Sequence, residues 1–175
     1  VATAPSNELC VVPPFTAPGA GTLTVSGPNS AVGSWGGSPG ATSYVLVLST
    51  ASDNPPIAVA GSSTTASLTA TINALTANTT YYGFVEGCNG NGCSTDTALG
   101  TAVTNANPAT VLSTTTLTSL TATLAWNANS NPAGTTYRVE RSTISGGPYS
   151  LEMSTTVLTL RRPSVLKDSR VPTPS

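Results

Sequence analysis

Histidine is absent from this 175-residue chain. Its absence removes Ser-His-Asp and Cys-His catalysis, and with them the commonest side-chain ligand of transition metals. Charge is scarce as well. Asp, Glu, Lys and Arg together make 7% of the residues, against about 25% in an average soluble domain. No Lys or Arg precedes Arg138, and the net charge is −1. A nucleic-acid partner needs a basic stripe to displace counterions, so none is expected. Long apolar runs are missing too. The longest, residues 44–48, is far shorter than the roughly 20 residues of a membrane helix, so no membrane span is expected. No signal peptide is visible and the chain starts at Val1 rather than Met, which reads as a processed or excised mature segment.

What is present points to β structure. Hydrophobic residues make up 38%, enough for a packed core, and 31 Thr and 22 Ser supply small hydroxyls. Neither high net charge nor low hydrophobicity is there to drive disorder. Thr and Val recur in short alternating runs broken by Gly, Pro, Asn and Ser, which is strand-and-turn punctuation. Strands are expected over residues 22–25, 31–35, 44–48, 57–60, 67–72, 81–87 and 94–103. Seven short strands with turns between them predict a two-sheet sandwich rather than a barrel or an α/β fold.

Of three cysteines, Cys88 and Cys93 bracket Asn89-Gly90-Asn91-Gly92, a turn-forming tetrapeptide. A hairpin there brings the two sulfurs together, so a local disulfide is expected. The rival, half of a C-x4-C metal site, has no second Cys or His cluster to complete a tetrahedron; no metal and no cofactor is expected. Cys10 is left over. It has either a partner outside this chain or a free buried thiol. A disulfide and many hydroxyls suit a secreted or cell-surface protein.

The chain also repeats. Trp126 lies 91 residues after Trp35, and Tyr137 lies 93 after Tyr44. That spacing is one small β domain per repeat, with a break at Asn105-Ala106-Asn107-Pro108. Four segments are expected: a Pro-rich arm or linker over 1–21, a first domain over 22–104, a partial second domain over 105–160, and a basic tail rich in Pro and Ser over 161–175.

These residues resemble the fibronectin type III family. Trp35 and Tyr44 take the places of its strand B Trp and strand C Tyr, and Leu75-Thr76-Ala77-Asn78-Thr79-Thr80-Tyr81 is similar to its tyrosine corner, with Ala77 where Pro is usual. Asn89, Gly92 and Ser94 match the stretch after strand F. The resemblance implies an all-β, immunoglobulin-like seven-stranded β-sandwich for the first domain, with Trp35, Tyr44, Leu75 and Tyr81 in its core. Gly33 and Gly83 stand where the family has larger core residues, so a thin core is expected. Alternation from Tyr81 puts Tyr82 and Phe84 on the opposite, exposed face, where they are candidates for partner contact.

The second repeat matches halfway, as a second, incomplete sandwich of the same type. Trp126, residues 137–142 with Tyr137, and residues 146–149 resemble strands B, C and the following turn; the corner due near residues 166–173 is absent. Strands F and G of that repeat are therefore expected to be missing. An open half-core would follow. Truncation or a reading-frame artefact, strand exchange with another chain, and an unusual tail all explain it. For strand exchange, the arm supplies Leu9, Val11, Val12 and Phe15 as apolar contact residues. Repeated head to tail, such donation builds an open filament.

Other chemistry is weaker. The seven acids show no spacing that suggests the facing pair a glycosidase needs. The glycine run at 36–40 lacks a Lys and a following helix, so it is no phosphate loop. Asn78-Thr79-Thr80 fits a glycosylation sequon, yet its place in the corner favours a structural role. The expected function is a noncatalytic extracellular structural or adhesive module that associates with itself or with other extracellular chains. The alternative is a carbohydrate-binding or spacer module beside a polysaccharide-degrading enzyme.

Overall fold

The structure, a computed structural model, describes residues 16–118 and 121–163, and every regular element in them is a strand. The chain divides into two compact units. The first ends at Leu75 and resumes over Thr80–Thr104; the second takes Thr76–Thr79 and continues from Asn105.

The first unit contains β1 (Gly19–Val25), β2 (Ala31–Gly36), β3 (Ser43–Ser49), β4 (Val59–Thr65), β5 (Thr69–Ile72), β6 (Thr80–Asn89), the two-residue β7 (Gly92–Cys93) and β8 (Thr97–Val103). One sheet runs β1-β2-β5. The other runs β4-β3-β6, with β7 and β8 both paired to β6. Every pairing is antiparallel. There are thus eight strands rather than seven: the extra one is the two-residue β7, which precedes the run expected over 94–103, and that run itself begins later, at Thr97. The strand expected at 57–60 starts later, at Val59, and runs on to Thr65, while Ile57 is 74% exposed. β1 begins at Gly19, inside the stretch expected to be an arm.

Alternation builds the core. Ala31 and Trp35 on β2, and Tyr44, Leu46 and Leu48 on β3, turn one way and are buried. They meet Leu23, Ile72, Leu75, Tyr81, Val85 and Leu99 in one cluster. Leu46 and Leu48 are 0% exposed. The core is not thin at Gly33 and Gly83, contrary to expectation. A Cβ on Gly33 would come within 2.8 Å of Leu46 Cδ1, and one on Gly83 within 3.2 Å of Leu23 Cδ2. The leucines of facing strands fill the space that larger side chains would take. Phe84 departs from expectation too: it is 4% exposed. β6 is an interior strand, and Phe84 sits between Val47 on β3 and Ala98 on β8. Alternation tells which face a residue takes, and flanking strands decide how covered that face is.

The second unit contains β9 (Thr110–Leu117), β10 (Thr121–Asn127), β11 (Tyr137–Arg141), β12 (Ser150–Thr155) and β13 (Thr159–Pro163). One sheet runs β13-β10-β9 and the other is the pair β11-β12. β13 pairs with β10 as far as Thr121↔Pro163, so regular structure continues three residues past the boundary expected at 160. The corner expected near 166–173, and the rest of the basic tail, lie outside the described residues.

Candidate functional site

Each unit builds the same aromatic pair. In the first, Trp35 and Tyr44 have ring centroids 5.8 Å apart at 52°. In the second, Trp126 and Tyr137 stand 5.9 Å apart at 62°. Such tilted and edge-on contacts suit the ring quadrupole. Both indole N–H groups are buried without a hydrogen-bond partner. The phenols are held differently. Tyr44 Oη accepts from Ser38 N at 3.0 Å. Tyr137 Oη accepts from Asn131 Nδ2 and donates to Ala128 O, both at 3.4 Å. Asn131 is itself braced, since Asn107 N donates to its Oδ1 at 2.7 Å and its Nδ2 donates to Asn107 O at 2.8 Å.

What covers the pair separates the units. Trp35 and Tyr44 share the closed cluster with Tyr81 and Val85 of β6 and Leu99 of β8. Among the described residues beyond Asn105, Trp126 is the one buried apolar side chain. Beside it opens a groove of about 480 Å³, lined by Leu112, Leu124, Trp126, Tyr137 and Val139 among others. Leu112 is 72% exposed. β11 pairs with β12 along one edge, and among the described residues no strand pairs with the other. In the first unit the matching edge of β3 is taken by β6. The groove is therefore an apolar half-core next to a strand edge that no described strand occupies, a geometry that accepts an extended segment. Two ion pairs border β11: Arg138 with Glu140 at 3.2 Å, and Arg141 with Glu152 at 3.4 Å.

A second cluster lies at the tip of β6. Cys88 and Cys93 face each other across the hairpin and are joined by a disulfide, with Cα atoms 4.0 Å apart. Asn89 shapes the turn: its Oδ1 accepts from Asn91 N at 2.9 Å, and Gly92 adopts a φ of 131°. Ser94 N donates to Gly87 O at 2.8 Å. Glu86 offers a carboxylate oxygen within 4.8 Å of both sulfurs. Burial pushes the Glu86 carboxyl above its ordinary value, and the charge of Asp96 adds to the rise; burial alone raises Asp96. Glu86, Cys88 and Cys93 have the donor types of a metal site, but while the sulfurs are bonded to each other they are not thiolates and do not hold an ion.

The residues expected to matter are placed as follows. Trp35, Tyr44, Leu75, Tyr81 and Trp126 are buried and Tyr137 is half-buried. Cys88 is buried and Cys93 exposed. Tyr82 is half-buried beside Ser49 on β3 and Thr101 on β8, and Phe84 is buried, so no exposed aromatic pair exists there. Asn78 is exposed with a φ of 48°. Leu9, Cys10, Val11, Val12 and Phe15 lie outside the described residues. Sequence reasoning missed the lining of the groove by Leu112 and Val139; the alternation of Tyr137 and Val139 was the available signal.

Comparison with known proteins assigns the fold: it is that of fibronectin type III domains, an immunoglobulin-like β-sandwich. A segment of two fibronectin type III domains from chicken tenascin superposes with a TM-score of 0.54 at 18% identity, covering 83% of this chain and 82% of that one. The fibronectin type III domain of human contactin 1 is similar at 19% identity with a TM-score of 0.47, over 61% of this chain and 96% of its own. A chitinase from Bacillus thuringiensis matches at 23% identity and a TM-score of 0.43, over 65% of this chain and 17% of its own. No family model and no curated protein matches the chain.

Proposed function

We propose that this chain is a noncatalytic extracellular structural module whose copies join head to tail into filaments through the second unit. The observation that carries this reading is the apolar groove beside Trp126, running along an edge of β11 that no described strand occupies. A half-core of this kind gains by burying its surface against added chain, at roughly 25 cal/mol per Å² of apolar area. A contact between unlike surfaces that does not close on itself propagates. Charge distribution favours the same polarity. Residues 1–137 carry four acids and no base, and residues 138–175 carry six bases and three acids, −4 against +3. The ends of successive copies thus attract.

Extracellular placement is supported by the Cys88–Cys93 disulfide, which an oxidising compartment maintains. Two measurements test the reading: light scattering of the purified oxidised chain across a concentration series, and electron micrographs of the same samples. Particles that lengthen with concentration are expected. A chain that stays monomeric throughout, and is retained on chitin or cellulose, would make it an accessory module instead.

A further inference from the structure

We infer, resting on that reading, that the occupant of the groove is residues 6–12 of a second copy, added as an antiparallel strand along β11 with Leu9 opposite Val139 and Val11 opposite Tyr137. The first unit supplies the template. There β6 runs antiparallel to β3, with Gly87 opposite Tyr44 and Val85 opposite Leu46, and the residues facing the aromatic pair recur at every second position. A donor strand must be extended, free of internal proline and apolar with the same period.

The chain's own sequence narrows the choice. Between Pro5 and Pro13-Pro14 lies a seven-residue window, Ser6-Asn7-Glu8-Leu9-Cys10-Val11-Val12. It is long enough to span the five residues of β11. It has two faces. Leu9 and Val11 lie on one with Asn7. Cys10 and Val12 lie on the other with Glu8, and turning that face inward would bury an uncompensated carboxylate. The first face is therefore the one that meets the groove. Tyr137 and Val139 are the half-buried residues of β11, while Arg138 and Glu140 are exposed. Only one antiparallel register both matches the inward positions and keeps all five β11 residues opposite the window. It places Leu9 against Val139, Val11 against Tyr137 and Asn7 against Arg141. On the outward face Cys10 stands opposite Arg138. Glu8 stands opposite Glu140, whose ion-pair partner Arg138 at 3.2 Å supplies the compensating charge.

This register turns the odd cysteine into a reporter. Directly opposed residues of an antiparallel pair have Cα atoms about 4.5–5.5 Å apart, inside the range of about 4.4–6.8 Å that a disulfide bridges. The variant Arg138→Cys, oxidised by air after assembly, is expected to give a ladder of dimers, trimers and longer species on non-reducing gels, joined through Cys10. Arg138 is exposed, so the change does not disturb the core, and Glu140→Gln is made with it so that Glu8 does not face an uncompensated carboxylate. Val139→Cys, on the inward face, is expected to give none. A ladder from Val139→Cys but not from Arg138→Cys overturns the assigned face. No ladder from either, with particles still lengthening in light scattering, overturns the arm as occupant and leaves head-to-tail assembly standing. A cross-linked species of monomer size overturns the second copy as its source. Failure to assemble at all removes both readings. As a second measurement, Leu9→Asp is expected to raise the concentration at which particles form by about tenfold or more, since an uncompensated charge would enter the groove. An unchanged threshold overturns the inward placement of Leu9.

Discussion

The two units start from one plan and end in different states. Each places a Trp on its second strand and a Tyr on its third, and each brings the rings to nearly the same separation, 5.8 and 5.9 Å. In the first, β6 and β8 then close over the pair, and Tyr81, Val85 and Leu99 complete a buried cluster. In the second, the pair borders a groove of about 480 Å³, and Val111, Leu112 and Leu117 of β9 stand exposed. The aromatic contact is thus a local product of two strands and the turn between them. Closure is a separate event that needs strands from further along the chain or from another one.

Truncating the two tryptophans breaks the comparison most severely. Trp35→Ala is expected to cost about 3–5 kcal/mol, as for large core aromatics, and Trp126→Ala about half of that, because one side of its site is already open. Urea melts followed by far-UV circular dichroism report both; equal losses would mean the second unit is as closed as the first. The next effect is at Gly21, where β1 is irregular against β2. A Cβ there would fall 2.0 Å from Ser34 O and 2.9 Å from Trp35 Cα. Backbone must move, so Gly21→Ala should cost about 3 kcal/mol, the upper range for overpacking, with the melt of the first unit shifted and assembly through the second retained. A wild-type melt from this variant would place β1 away from β2.

Removing the hairpin disulfide sharpens the comparison further. With Cys88 and Cys93 both replaced by Ala, the first unit is expected to lose about 2 kcal/mol, the value for so short a loop. The second unit should not respond. Alkylation without reductant, read by intact mass, should label Cys10 alone in the native chain; labelling of all three thiols would show that no disulfide forms. The smallest effect is electrostatic. Glu86 binds its proton more readily folded than unfolded, since burial and then the charge of Asp96 disfavour the carboxylate. Its contribution to stability is therefore fully present below the ordinary value of 4.5 and is lost as pH rises from there through the raised folded value. Glu86→Gln should flatten the melting temperature against pH in that window and leave it slightly higher at neutral pH. A slope unchanged by the substitution would assign the titration elsewhere.

Much of the first unit was legible because its signals are local. The alternation of Tyr44, Leu46 and Leu48 announces a strand with one buried face, and Asn89-Gly90-Asn91-Gly92 between two cysteines announces a hairpin. Phe84 was misread because period two assigns a face but not its neighbours; Val47 and Ala98 reach it only through strand pairing. Gly33 and Gly83 were misread as gaps for the same reason. Whether a missing side chain leaves a void depends on leucines that arrive from β1, β3 and β8. In the candidate site, Trp126 and Tyr137 were visible as a repeat of Trp35 and Tyr44, whereas Leu112 and Val139 became lining residues only once β9 and β11 were set either side of the groove.

The sequence by itself determined the class of structure, the strand periodicity, the aromatic pairs and the cysteine hairpin, because each rests on residues close together along the chain. Tertiary structure decided which of two similar half-cores is sealed and which edge no described strand occupies. Burial and strand pairing are sums over distant segments, and no short stretch of residues carries that sum.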